Sequence, residues 1–258
     1  MKNKILGVLL LVAMGVAKVP LEDRVAATLK AADLRDAPIP LSLQEAMGQM
    51  AFTAALGGLR SLVASITYLR AYVAFEDRDW GRVDSLMTLT TRMQPREAMY
   101  WDEAAWHMAY NAATSTQQRE DLRAAIRNKD FRDYVLRGLK IVQEGLVYNP
   151  NNPKLLVREA EIYRDRLKDP RPAAEAFLLA AKNGAKPFYE RMGAYELVKL
   201  GEPPDLQQAY EILKRHYDKG FRYPSVLRDL DILERKLNIP VGQRVGQPLP
   251  PSPQPRRK

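Results

Sequence analysis

Side chains able to support acid-base or metal chemistry are few and scattered in this sequence. The two histidines, His107 and His216, stand far apart, and there is no cysteine. A metal set needs three or four converging ligands, so each histidine reads as a packing or helix-surface residue. The zincin helix, the phosphate-binding Walker loop and the Gly-x-Ser-x-Gly elbow are all missing from the sequence. Gly57-Gly58 lacks the Lys and Ser or Thr that a phosphate loop requires. The acid pairs Asp77 with Asp79, and Asp102 with Glu103, fall beside a turn and a helix start, where carboxylates are favoured by the helix N-terminus. Arg60 sits in the most apolar stretch of the chain and calls for an acid from a neighbouring helix or, alternatively, a bound anion. The aromatic residues carry more information. Tyr68, Tyr72 and Phe75 follow i, i+4, i+7, and Trp106 and Tyr110 follow i, i+4. Such stripes usually pack into a core. They also suit a protein-contact surface, since Tyr and Trp combine large contact area with a polar tip.

The formal charge of +9 and a pI near 9.6 raise nucleic acid as a partner. The distribution argues against it. Removing the three unopposed lysines of residues 1–18 and the four unopposed cations of residues 241–258 leaves +2 for residues 19–240. The basicity belongs to the ends. Lack of cysteine excludes disulfides, thiolate catalysis and a lipoprotein anchor. No cofactor or metal is expected.

Lys2 and Lys4 precede thirteen uncharged residues, Ile5–Ala17, with small residues at Gly15 and Ala17. This is the order of a secretory signal cleaved before Lys18. Thirteen residues are short of the ~20 that span a bilayer, although an uncleaved membrane anchor is the alternative. Both place the body outside the cytoplasm, periplasmic or anchored to the inner membrane and facing the periplasm.

Leu21, Val25 and Leu29 predict an amphipathic helix that Pro38 and Pro40 end, so residues 18–45 form a helix and linker. From Ala46 to Leu69 the only charge is Arg60. A helix, a break at Gly57-Gly58 and a second buried helix fit this run better than a membrane span does. Pro150, Pro187 and Pro224 recur every 37 residues. Each interval holds a pair of helices with small residues at the crossing. In one, Leu155, Leu156, Ala160 and Tyr163 line the first helix and Asp169-Pro170 breaks the pair. Ala173, Ala176, Phe177, Ala180 and Ala181 line the second, with Phe177 filling the gap. Earlier pairs are Tyr68–Tyr72 with Val83–Met93, and Trp101–Met108 with Phe131–Leu146. In that second pair Ser115–Asp130 is an insertion, read as an additional or extended helix. Met192–Tyr195 pairs with Ala209–Leu213. Val226, Leu227, Leu230, Leu233 and Leu237 then make the apolar stripe of a terminal helix, 223–239. Residues 240–258, rich in Pro, Gln and Arg, are expected to be a disordered basic tail.

From Leu59 to Gly220 these residues resemble tetratricopeptide repeats. The resemblance implies an all-α solenoid of antiparallel helix pairs over residues 46–222, closed by a C-terminal capping helix. Thr90, where an alanine is expected, and the long Pro95–Pro150 interval depart from the pattern. Leu56-Gly57-Gly58 through Tyr68-Leu69-Arg70-Ala71, with Trp106–Asn111, is similar to uncharacterised bacterial envelope repeat proteins, which implies location and fold and brings no activity. The repeat register would put Tyr68, Tyr72, Asp102, Trp106 and Tyr110 near the inner surface, where such arrays bind peptides.

The expectation is a non-enzymatic envelope scaffold or adaptor receiving a protein or peptide, with a membrane contact possible through the N-terminal segment. The alternatives are a structural subunit of a membrane-associated complex and an accessory factor of an envelope enzyme.

Overall fold

Helix starts in the second half of the described chain are written locally, as proline at the first helical position. The computed structural model describes residues 59–246. The signal or anchor at 1–17, the helix and linker at 18–45, the helix expected over 46–58 and the tail from 247 lie outside the described residues. The described part is all-helical, with no strand among its residues.

Helix α1 spans Arg60–Glu76, α2 Trp80–Met93 and α3 Ala98–Trp106. α3 runs on through a π-helical stretch, His107–Ala112, into α4, Ala113–Gln117. Then come α5, Ala124–Tyr148, and α6, Pro153–Glu161, which continues as a second π-helical stretch, Ile162–Leu167. Helices α7 (Pro170–Lys182), α8 (Pro187–Leu200), α9 (Pro203–Asp218) and α10 (Pro224–Lys236) complete the series. Proline opens α6 through α10, where its missing N–H costs nothing because that group has no intrahelical partner. Asn152 caps α6 by accepting the N–H groups of Lys154 and Leu155 at 3.0 and 3.3 Å. Asp79 caps α2 through Arg82 N–H at 3.1 Å, which accounts for one member of its acid pair. Gly201 ends α8 at φ 77°, a left-handed position that residues with a Cβ seldom occupy.

Each helix packs on its neighbours in chain order: α1 with α2, α3 with α5, α6 with α7, α8 with α9, and α10 against α9. Helices α6, α8 and α10 start at Pro153, Pro187 and Pro224, separated by 34 and 37 residues. Pro150 lies in the preceding turn, so its even spacing to Pro187 does not join equivalent positions. The insertion expected over Ser115–Asp130 is absorbed by longer helices. α3 and α4 carry the chain to Gln117, and α5, 25 residues long, takes it up again at Ala124.

Small residues set the helix approaches. A Cβ on Gly138 of α5 would lie 2.6 Å from Ala109 Cβ and 2.7 Å from Ala105 O, so only glycine admits this crossing with α3. Trp101 is 1% exposed, donates its indole N–H to Pro95 O at 2.8 Å and stacks on Tyr148. Phe177 is fully buried among Leu156, Ala160, Ala176 and Ala180, the gap its sequence context predicts. Thr90, anomalous as a sequence, has a partner: its hydroxyl lies 2.8 Å from that of Thr67, both buried between α1 and α2. One hydroxyl donates to the other, and the accepting one donates in turn to a carbonyl of its own helix, Val63 O or Leu86 O, so both protons are used.

The end of the chain corrects one expectation. Residues 240–246, assigned from sequence to the disordered tail, are held on α10. The Glu234 carboxylate, fully buried, accepts the N–H groups of Val245 and Gly246 at 2.9 Å each. Arg244 Nε donates to Ile239 O at 2.8 Å. A buried carboxylate must be hydrogen-bonded, and the returning backbone supplies the donors.

Candidate functional site

Helices α1 and α3, with the π-helical stretch that continues α3, carry the residues singled out by spacing. They divide into two groups instead of forming one face. In the first group, Tyr72 of α1 lies 6.0 Å from Phe75, centroid to centroid. Phe75 lies 4.9 Å from His107, and His107 5.2 Å from Trp106. Four rings thus run continuously from α1 to α3. The two ends are open, Tyr72 at 55% exposure and Trp106 at 37%, while His107 is buried. Tyr68 turns aside, half-buried, against Tyr100 at 5.3 Å. Burial raises its phenol pKa, helped by the nearby Glu103 carboxylate.

The second group joins α3 to α6. Asp102 is 4% exposed and accepts from Arg158 Nε at 2.7 Å, with Lys154 Nζ at 3.0 Å. It stands inside the helix, not at its start, and is closed off by two cations of the next pair. The sequence expectation that Asp102 lines an open binding surface is therefore corrected. Tyr110 also faces α6. Its hydroxyl donates to Asp165 Oδ2 at 3.4 Å, and the Arg166 guanidinium sits 4.2 Å over its ring. Burial, with Asp165 and Glu161 nearby, pushes its pKa well up.

Trp106 and Tyr110, four residues apart, fall in different groups: Trp106 ends the α-helical part of α3 and meets His107, while Tyr110 lies in the π-helical stretch and meets Asp165. Tyr110 and Asp165 each lie in one of the two π stretches, and these pack against each other. A period of 3.6 applied to the sequence carries no sign of either stretch. Arg60, the other residue marked from sequence, reaches the C-terminal turn of α2, where Nη2 donates to Arg92 O at 3.5 Å.

The structure also assembles a feature that spacing missed. A cleft of about 600 Å³ among α7, α8 and α9 is lined by Glu190, Arg215, His216, Lys182 and Lys219, among others. Glu190 Oε2 lies 2.7 Å from His216 Nε2, and Arg215 binds the other carboxylate oxygen. Burial lowers the His216 pKa against the opposing pull of Glu190. The lining holds no Ser, Thr or Cys. Glu190 and His216 are 26 residues apart on different helices, and no motif links them.

Among the described residues there is no cluster of three or more metal-ligating side chains, and no helix long and apolar enough to cross a membrane. No protein-family model, curated protein or solved structure matches the chain.

Proposed function

We propose that this protein is a non-enzymatic scaffold or adaptor of the cell envelope. In this reading it is a tetratricopeptide-type array that receives a protein or peptide on the side of its first helices. The 34-residue interval between the starts of α6 and α8 and the alanine- and glycine-lined crossings support the repeat assignment. The Lys2-Lys4 start and the apolar run after it support export.

The observation that carries the binding role is the aromatic track Tyr72–Phe75–His107–Trp106, buried in its middle and open at both ends. A Trp and a Tyr each held against a buried or half-buried ring lose little side-chain freedom on contact, which is what an interface hot spot needs. Photo-crosslinking residues placed at Tyr72 and Trp106 in the native envelope test it, with Lys140 on α5 as the reference position. Discrete adducts at the two track positions and none at Lys140 are expected. For a partner so identified, Trp106→Ala should weaken binding about 30-fold, the equivalent of a ~2 kcal/mol hot spot. Equal labelling at all three positions, or none at the track, would refute the role.

A further inference from the structure

The outer face of α1 carries an apolar seam that nothing described covers. Leu62, Ile66, Leu69 and Val73 are 53%, 44%, 65% and 55% exposed, at successive steps of four, three and four residues. The opposite face sends Val63, Ala64, Thr67, Ala71 and Ala74 inward. The second helix of the Ala46–Leu69 run, expected from sequence to be buried, is therefore buried on one side. A step of four and three is the seam of a helix that packs along a second helix.

The chain immediately before α1 repeats this seam in mirror image. Leu43, Met47, Met50 and Ala54 are also spaced four, three and four, and Gly57-Gly58 separates them from α1. Ala54 and Leu62 are equidistant from Gly58, as are Met50 and Ile66, Met47 and Leu69, and Leu43 and Val73. In an antiparallel helix pair, residues equidistant from the turn lie level, because both helices rise ~1.5 Å per residue. The two seams thus match layer for layer. Residues 43–58 contain one charge, Glu45, so a helix there must bury most of its surface.

We propose that residues 43–56 form a helix that turns back at Gly57-Gly58 and packs antiparallel on the outer seam of α1, closing the N-terminal end of the array. The inference is independent of the partner-binding role. A second copy of the chain would have to compete with a segment tethered by two residues, whose effective concentration is of millimolar order. A bilayer is a poor occupant for fourteen residues, short of the ~20 needed to span it. The first unit of a stacked array needs such a cover, since its stacking face otherwise meets water.

The native chain has no cysteine, so any disulfide introduced into it is unambiguous. In the full chain, Met50→Cys with Ile66→Cys, and Met47→Cys with Leu69→Cys, should close within one chain under mild oxidation. Both should form at least ten-fold faster than the off-seam control Gln49→Cys with Leu69→Cys. Rates equal to the control overturn the proposal, and so do disulfides that join two chains, which would identify a second copy as the occupant. Labelling of Ile66→Cys alone provides a second measurement with one small change to the fold. It should be slow, and at least ten-fold faster when Met47→Asp and Met50→Asp are added; the same rate in both overturns the proposal.

Discussion

Asp102 on α3 and Arg158 on α6 form an ion pair at 2.7 Å across the junction of two helix pairs, with side chains 5% and 19% exposed. Removing the arginine would leave a carboxylate nearly out of water with only Lys154, itself half-exposed, to balance it. Arg158→Met should therefore cost about 2–3 kcal/mol, somewhat under the ~3–5 of a wholly buried pair that loses one partner. Asp102→Leu with Arg158→Met should recover at least ~1 kcal/mol of the sum of the single losses, because neither charge is then stranded. Urea unfolding of the four proteins measures both quantities. Purely additive losses would mean that the pair does not hold the junction.

Two glycines should respond to alanine in opposite ways. Gly138 faces Ala109 and the backbone of Ala105 at distances no Cβ can accept, so Gly138→Ala should force α3 and α5 apart and cost ~1–3 kcal/mol. Gly81, exposed in the first turn of α2, would place its new Cβ no closer than 3.8 Å to another atom. Gly81→Ala should stabilise the protein by ~0.5–1 kcal/mol through reduced freedom of the unfolded chain. Thermal or urea unfolding decides, and a destabilised Gly81→Ala would contradict the open surroundings of that site.

Acid should weaken the fold through both histidines. Burial lowers the pKa of His107 and of His216 from the ordinary 6.5. A group whose folded pKa is depressed contributes stability that is complete above its unfolded pKa. That stability is lost as pH falls through the folded value. Glu159 and Glu161 act in the opposite sense, since burial raises their pKa and favours the fold at low pH. Proton NMR of the two imidazoles should show midpoints under 6.5. The loss of stability between pH 6.5 and 5.5 should shrink in His107→Gln and in His216→Gln. Midpoints at or above 6.5 would show that neither ring is desolvated as described.

How much of this was legible beforehand follows from where each feature's energy lies. Prolines at 170, 187, 203 and 224 punctuate the sequence between apolar stripes, and the structure begins helices at each of them. Capping and the fixed φ of proline act within one turn of chain, so they are readable one segment at a time. Phe177 was legible for a similar reason, since its helical stripe of alanines marks a close crossing. Thr90 could be seen as anomalous but not explained, because Thr67 stands on another helix.

By itself, then, the sequence determined the all-helical class, the helix starts, the apolar stripes and the confinement of excess positive charge to the ends. Tertiary structure alone decided which marked residues meet. It sent Tyr110 to Asp165 and left Trp106 with His107, buried Asp102 under Arg158, and brought Glu190 to His216. Those outcomes depend on crossing angle and axial register, which are set only when helices distant in the chain are packed together.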